Sequence, residues 1–115
     1  TRRSSDLGTI LDIRVNFDEQ ANKIIVDLDG DLDLNSVGDF KRRMDEEIDA
    51  HKTDIMVNCE ALRYIDSTGL GILVSILKKV RECGGTMEIK QLKPYLFKIF
   101  DVTGLTNVFK IEVAE

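Results

Sequence analysis

The side chains best equipped for chemistry lie in one stretch, Ile65-Asp66-Ser67-Thr68-Gly69-Leu70-Gly71, where two adjacent hydroxyls stand between a carboxylate and two glycines. Hydroxyls at the head of an apolar segment have three uses. As a helix cap, Ser67 or Thr68 would accept a backbone N–H, worth about 1 kcal/mol relative to alanine. As a nucleophile, Ser67 would need a base within hydrogen-bond reach. As a modified residue, it would gain a phosphate of about −1.5 to −2 charges with three strong acceptor oxygens. A cap alone leaves Gly69 and Gly71 unexplained, since each costs about 1 kcal/mol relative to alanine inside a helix. Glycines leave the backbone bare and permit close approach by another molecule. Asp66, Ser67, Thr68, Gly69, Leu70 and Gly71 are therefore read as one contact surface.

The catalytic use is the weakest of the three. The stretch departs from the G-x-S-x-G nucleophile elbow, and Asp66 is a weak base. The only histidine, His51, sits in the polar segment Asp49-Ala50-His51-Lys52-Thr53 and reads as a solvated surface residue. G-x-x-x-x-G-K-[ST] is absent, which removes a phosphate-binding P-loop. A phosphate-receiver domain shares the acidic α/β character, but it expects an acceptor aspartate straight after a central strand, and residues 16–20 and 58–60 fit that poorly. Cys59 and Cys83 are isolated, with no C-x-x-C, and read as small buried apolar side chains rather than metal ligands. Neither a metal nor a cofactor is expected.

Composition narrows the partners. A chain of 115 residues, 43% apolar, is long enough for one compact domain. Sixteen basic against 21 acidic residues give a net charge of −5, which argues against nucleic acid, because phosphate backbones need Lys and Arg surfaces. A protein partner or a small ligand fits better. Residues 1–9 are polar and lack a signal-peptide core, and the longest uncharged run, Ser67 to Leu77, is shorter than the about 20 residues that span a bilayer. The expectation is a soluble cytoplasmic protein with no membrane partner. Thr1 in place of Met suggests a trimmed or engineered start.

The elements that must position the hydroxyls follow from periodicity. Leu11, Ile13, Val15 and Phe17 alternate with Asp12, Arg14 and Asn16, which predicts a half-buried strand over residues 10–17. A turn at Glu19–Asn22 leads to a second strand, Ile24–Leu28, antiparallel to the first and ended by Asp29-Gly30-Asp31. A helix starts at Ser36 as N-cap, with Asp39 three residues on and Val37, Phe40, Met44 and Ile48 along one face. Its charged face, Lys41 to Glu47, is read as solvated. Ile55–Cys59 is a short apolar strand of the kind found in a sheet covered by helices. After the hydroxyls, Leu70, Leu73, Val74 and Leu77 form a helical stripe beside Ile72, Ile76 and Val80, so this helix is buried on more than one side and stops at Gly84-Gly85. Strand 86–90, a helix from Pro94 to Gly104 and strand 108–113 complete the order β-β-α-β-α-β-α-β. That order is an α/β fold: a mixed, mostly parallel sheet with an antiparallel first strand and helices packed on it. Ligands and partners of such sheets meet the loops that enter helices, here residues 29–36 and 58–69.

These residues also resemble a known family. Gly30-Asp31-Leu32-Asp33, Tyr64-Ile65-Asp66-Ser67-Thr68-Gly69-Leu70-Gly71, Gly84-Gly85 and Thr103-Gly104-Leu105-Thr106 look like anti-sigma factor antagonists of the STAS domain family, over residues 10–115. The D-S-[ST]-G-L-G element is the specific one; Asn58 and Cys59 stand where many relatives carry Asp-Leu. The resemblance implies Ser67 as phosphoacceptor, with Thr68 as second choice; Asp31 and Asp33, near Ser67 if the two loops lie together, either add to the partner surface of residues 66–71 or only shape their turn. It implies two partners: a serine-kinase anti-sigma factor, bound by the unphosphorylated chain so that a sigma factor is released, and a metal-dependent serine phosphatase that restores the active form. A monomer or weak dimer is expected, and no catalysis by the chain itself. The alternatives left open are a STAS scaffold subunit of a stress-sensing assembly and a serine hydrolase using Ser67.

Overall fold

The computed structural model describes residues 11–114, so the expected polar segment 1–9 and Ile10 lie outside the described residues. The elements are β1 (Leu11–Asp18), β2 (Lys23–Leu32), α1 (Val37–His51), β3 (Asp54–Ile65), α2 (Ser67–Glu82), β4 (Met87–Leu92), α3 (Pro94–Val102) and β5 (Lys110–Val113), with a 3-10 turn at Leu105–Asn107. The expected order holds. The strands make one sheet in chain order, β1 antiparallel to β2 and the later neighbours parallel. Among the described residues no helix is long and apolar enough to cross a membrane.

Right-handed crossovers between strands that follow one another in the sheet leave every helix on the same face. The register shows this directly. Ile24, Ile55 and Met87 lie side by side across β2, β3 and β4, as do Val26, Val57 and Ile89, and all six are buried. Ile25, Met56 and Glu88 form the row between them on the other face and are only half-buried. Ile55–Cys59 thus lies in a sheet covered by helices, as expected, but on one face only. Phe40, Met44 and Ile48 of α1, Leu73, Ile76, Leu77 and Val80 of α2, and Leu96 and Phe100 of α3 close the single core.

Two strands run further than their alternation suggests. β2 continues through Asp29-Gly30-Asp31, where Gly30 takes φ 122°, a conformation side chains rarely adopt, and makes a bend inside the strand rather than its end. β3 continues to Ile65 because two bulges each insert one residue: Asp27 and Asp29 face Asn58 and Ala61, then Gly30 and Asp31 face Leu62 and Tyr64. Asn58 steadies the first bulge, its amide donating to Asp27 Oδ1 at 2.9 Å and its Oδ1 accepting from Glu60 N–H at 3.1 Å. Segment 58–65 is thus strand, and the connection into α2 shrinks to Asp66. β5 is shorter than expected, since the 3-10 turn uses Leu105–Asn107.

Two local expectations are corrected, one by the turn before α1 and one by a distant partner. Ser36 precedes α1 as expected, yet its hydroxyl does not cap the helix; it donates to Asp31 O at 2.8 Å and accepts from Asp33 N–H at 3.0 Å, bracing the turn before α1. His51 is not a solvated loop residue. It ends α1 half-buried, its ring stacked on Phe17 with centroids 3.9 Å apart. Cys59 is buried as expected, and burial pushes its thiol up to about 12, while Cys83 is only half-buried.

Gly69 and Gly71, alike in sequence, do different things. A Cβ on Gly69 would stand 2.5 Å from Leu32 O and 2.8 Å from Ile65 Cγ1, so this glycine lets α2 sit against β2 and β3. The room it clears is filled by the chain itself rather than by a partner. Around Gly71 nothing lies within 4 Å. Gly69→Ala should lower unfolding free energy by about 1–3 kcal/mol through forced displacement of backbone. Gly71→Ala should leave it unchanged or raise it by up to about 1 kcal/mol. Urea melts of the two variants check the contrast, and equal losses would contradict it.

The charged face of α1 is partly engaged: Lys41 and Lys79 both reach Asp45, and Lys79 also reaches Asp49, tying α2 to α1. The Lys41 hydrogen bond, opposed by burial and aided by the charges of Lys41 and Lys79, holds Asp45 below the ordinary carboxylate value. On the open face burial pushes Glu88 up, but the Lys23 hydrogen bond and the charges of Lys23, Lys110 and Lys90 outweigh it and leave its pKa lowered. Groups with depressed folded pKa stabilise above the unfolded value and lose that contribution as pH falls through the folded one. The urea midpoint should hold from pH 7 to about 5 and fall below about 4. Asp45→Asn with Glu88→Gln should flatten part of that fall, and an unchanged profile would contradict the assignment.

Candidate functional site

The site is built where β2 and β3 end side by side, with Leu32 and Ile65 paired across the sheet. Asp66, the single residue between β3 and α2, joins both exits. It is the N-cap of α2: its backbone is extended and its Oδ1 accepts from Gly69 N–H at 2.8 Å. Its Oδ2 accepts from Leu34 N–H at 3.1 Å, and its own N–H donates to Leu32 O at 3.3 Å. One carboxylate therefore satisfies backbone donors from two loops that are 32 residues apart in sequence. A carboxylate cap also suits the positive end of the helix dipole.

With Asp66 as cap, neither hydroxyl has to be. Ser67 is the first residue of α2 and exposed, while Thr68 is half-buried behind it. Gly69 and Leu70 face inward, Leu70 being 6% exposed, and Gly71 is exposed one turn on. The expected contact surface at residues 66–71 is thus reduced to Ser67, Gly71 and the outer parts of Asp66 and Thr68.

The second loop holds Asp31 and Asp33, both half-buried. Asp33 organises the turn, its Oδ1 accepting from Asn35 N–H at 3.0 Å and its carbonyl from Ser36 N–H at 3.0 Å and Val37 N–H at 2.9 Å. Asp31 lies 3.7 Å from the guanidinium of Arg63. The structure therefore brings Asp31, Asp33, Asp66 and Ser67 to one end of the sheet. His51 is not among them: it lies at the other end of α1, a helix of 15 residues, so about 20 Å of helix separates it from this loop. Ser67 has no imidazole within reach to act as its base.

Sequence reasoning gives some residues at this end no role. Leu34 is 71% exposed although its N–H is held by Asp66, and Tyr64, beside Asp31 in the register, is 49% exposed. Tyr95 of α3 donates its hydroxyl to Arg63 O at 2.5 Å, and Lys93 bonds Glu60 O, so the start of α3 covers the bulged edge of β3 that β4 does not pair. An exposed leucine and a buried one look alike as letters; only the turn decides.

Known proteins share this fold. The STAS domain profile matches residues 13–115. The anti-sigma-B factor antagonist of Bacillus subtilis (strain 168) is 29% identical over 101 residues, spanning 88% of this chain and 92% of its own length. The anti-sigma factor antagonist SpoIIAA in its unphosphorylated form superposes with a TM-score of 0.69 at 19% identity, covering 90% of this chain and 89% of that one. The Bacillus SpoIIAA in its phosphorylated form gives 0.68 at 22% identity, covering 90% and 93%. With its five-stranded sheet in this topology and the profile matched from residue 13 onward, the chain belongs to the STAS domain family.

Proposed function

We propose that this chain is an anti-sigma factor antagonist whose binding is switched by phosphorylation of Ser67. In this reading the unphosphorylated chain binds a serine-kinase anti-sigma factor through the surface around Asp31, Asp33, Asp66 and Ser67, and a sigma factor is released. The bound kinase passes the γ-phosphoryl of ATP to Ser67 Oγ, ADP leaves, and the hydroxyl proton goes to a base of the kinase. A metal-dependent serine phosphatase then hydrolyses the ester with water, restoring the Ser67 hydroxyl and releasing inorganic phosphate. The chain contributes an acceptor and a docking surface, and the catalytic groups belong to its partners.

The observation that carries the reading is the division of labour at the head of α2: Asp66 takes the cap, which leaves the hydroxyl of an exposed Ser67 free, while Thr68 is half-buried. A relative of similar fold is known in both phosphorylated and unphosphorylated forms. The energetics fit a switch of binding rather than of folding. A phosphate at the first position of a helix is favoured by the dipole by roughly 0.3 to 2 kcal/mol. At a partner interface, beside Asp66 and near Asp31 and Asp33, the same uncompensated charge costs about 2 to 5 kcal/mol, or about 30-fold to several-thousand-fold in affinity.

Ser67→Ala should bind the kinase as wild type does and resist phosphorylation, and Thr68→Ala should be labelled at close to the wild-type rate. Ser67→Glu should melt like wild type yet bind at least about 30-fold more weakly. Titration of each variant against the kinase, with phosphate incorporation followed by intact mass, checks all three. Labelling of Ser67→Ala at the wild-type rate would contradict the assignment.

A further inference from the structure

Leu34 is the most exposed large apolar side chain at this end of the molecule, and the loop that carries it is unusually well fixed. Its N–H is held by Asp66 Oδ2 at 3.1 Å. The residues on either side are held too: Asp33 N–H by Ser36 Oγ at 3.0 Å and Asn35 N–H by Asp33 Oδ1 at 3.0 Å. Ser36, 2% exposed, spends its hydroxyl proton on Asp31 O at 2.8 Å. Every successive backbone donor from Asp33 to Val37 thus has a partner inside the chain, and beside the polar Asn35 an apolar leucine side chain is left pointing to water. A turn that served only to join β2 to α1 would gain nothing from leucine there.

We infer that Leu34 is a preorganised apolar anchor for the protein partner of the Ser67 surface, and that it enters an apolar pocket whose rim is basic. The inference rests on the partner-switch reading above and adds to it the residue that holds the partner. Fixing the backbone of the loop beforehand removes the ordering cost that a mobile loop would incur on binding, so a single leucine can contribute strongly. The rim chemistry follows from the neighbours: Asp33 and Asp66 are bonded into the turn that carries the anchor, and Asp31 adds a third carboxylate with Arg63 3.7 Å away, so three carboxylates against one guanidinium leave a net negative rim that calls for Lys or Arg opposite. Asp66 also links the two halves of the surface. Asp66, whose carboxylate holds Leu34, is the residue before Ser67, so a phosphate arriving on Ser67 would bring its charge toward the edge of the apolar contact, where it resists desolvation.

The test uses the full chain and the purified serine-kinase anti-sigma factors of the same genome, each titrated without ATP and then assayed with it. Leu34→Ala should weaken binding at least about tenfold and Leu34→Asp at least about a hundredfold, with Leu34→Met within about threefold of wild type. Thermal melts of all three should match wild type, because the side chain touches water. Phosphorylation of Leu34→Ala should show a raised KM with kcat kept, as expected for an anchor that does not touch the reacting atoms. If wild type binds and is labelled on Ser67 while Leu34→Ala and Leu34→Asp bind equally well, the anchor is wrong and the switch stands. If no such kinase binds or labels the wild-type chain, the switch and the anchor fall together.

Discussion

The architecture of the functional end hangs on the carboxylate of Asp66. Parallel strands deliver β2 and β3 to the same edge of the sheet, but nothing in strand pairing orients the loops that leave them. Asp66 does so with one oxygen on Gly69 N–H and the other on Leu34 N–H, while its own N–H returns to Leu32 O. Without it, two backbone donors of the described loops would need water or another acceptor, and the loops would be coupled only through packing. Because the cap is a carboxylate, the hydroxyl next to it is released from structural duty.

Beneath this clamp the fold is a rigid plate. The single core lies between one face of the sheet and three helices, and α2 is brought close enough by Gly69 to touch the Leu32 backbone. The bulges in β3 extend that plate past the point where β4 stops pairing, so the site stands on strand backbone, with Lys93 and Tyr95 satisfying carbonyls along the free edge. A charge change at the exposed first turn of α2 therefore meets a scaffold with no need to move. Such a scaffold suits regulation by surface electrostatics, where folding is kept and only the complex is lost.

Much of this was legible in the sequence wherever local periodicity and tertiary packing agree. Leu11 and Ile13 alternate with polar neighbours and are buried; the stripe of Leu70, Leu73 and Leu77 faces the core; Pro94 opens α3. The reading failed where an inserted residue or a distant partner sets the outcome. From Glu60 to Ile65 only Leu62 and Ile65 are buried, a spacing of three produced by the bulges, so no period-two pattern could reveal the strand. Ser36 looked like a cap because its competing acceptor, Asp31 O, lies before a turn whose shape local spacing does not encode. His51 looked solvated because its cover, Phe17, comes from β1. In the hydroxyl motif the residue types were informative and the assignment of tasks was not: the cap belongs to Asp66, and Gly69 serves packing.

In the proposed switch, the charge on Ser67 decides whether a partner stays. The most direct measurement is to incubate the chain with the proposed serine-kinase anti-sigma factor and ATP, and to follow the mapped phosphosite and the surviving complex over the same time course. One phosphate on Ser67, appearing in step with dissociation while the chain's melting temperature stays unchanged, is the predicted result. A phosphate mapped to any other residue, or a fully Ser67-phosphorylated chain that remains bound, would contradict it.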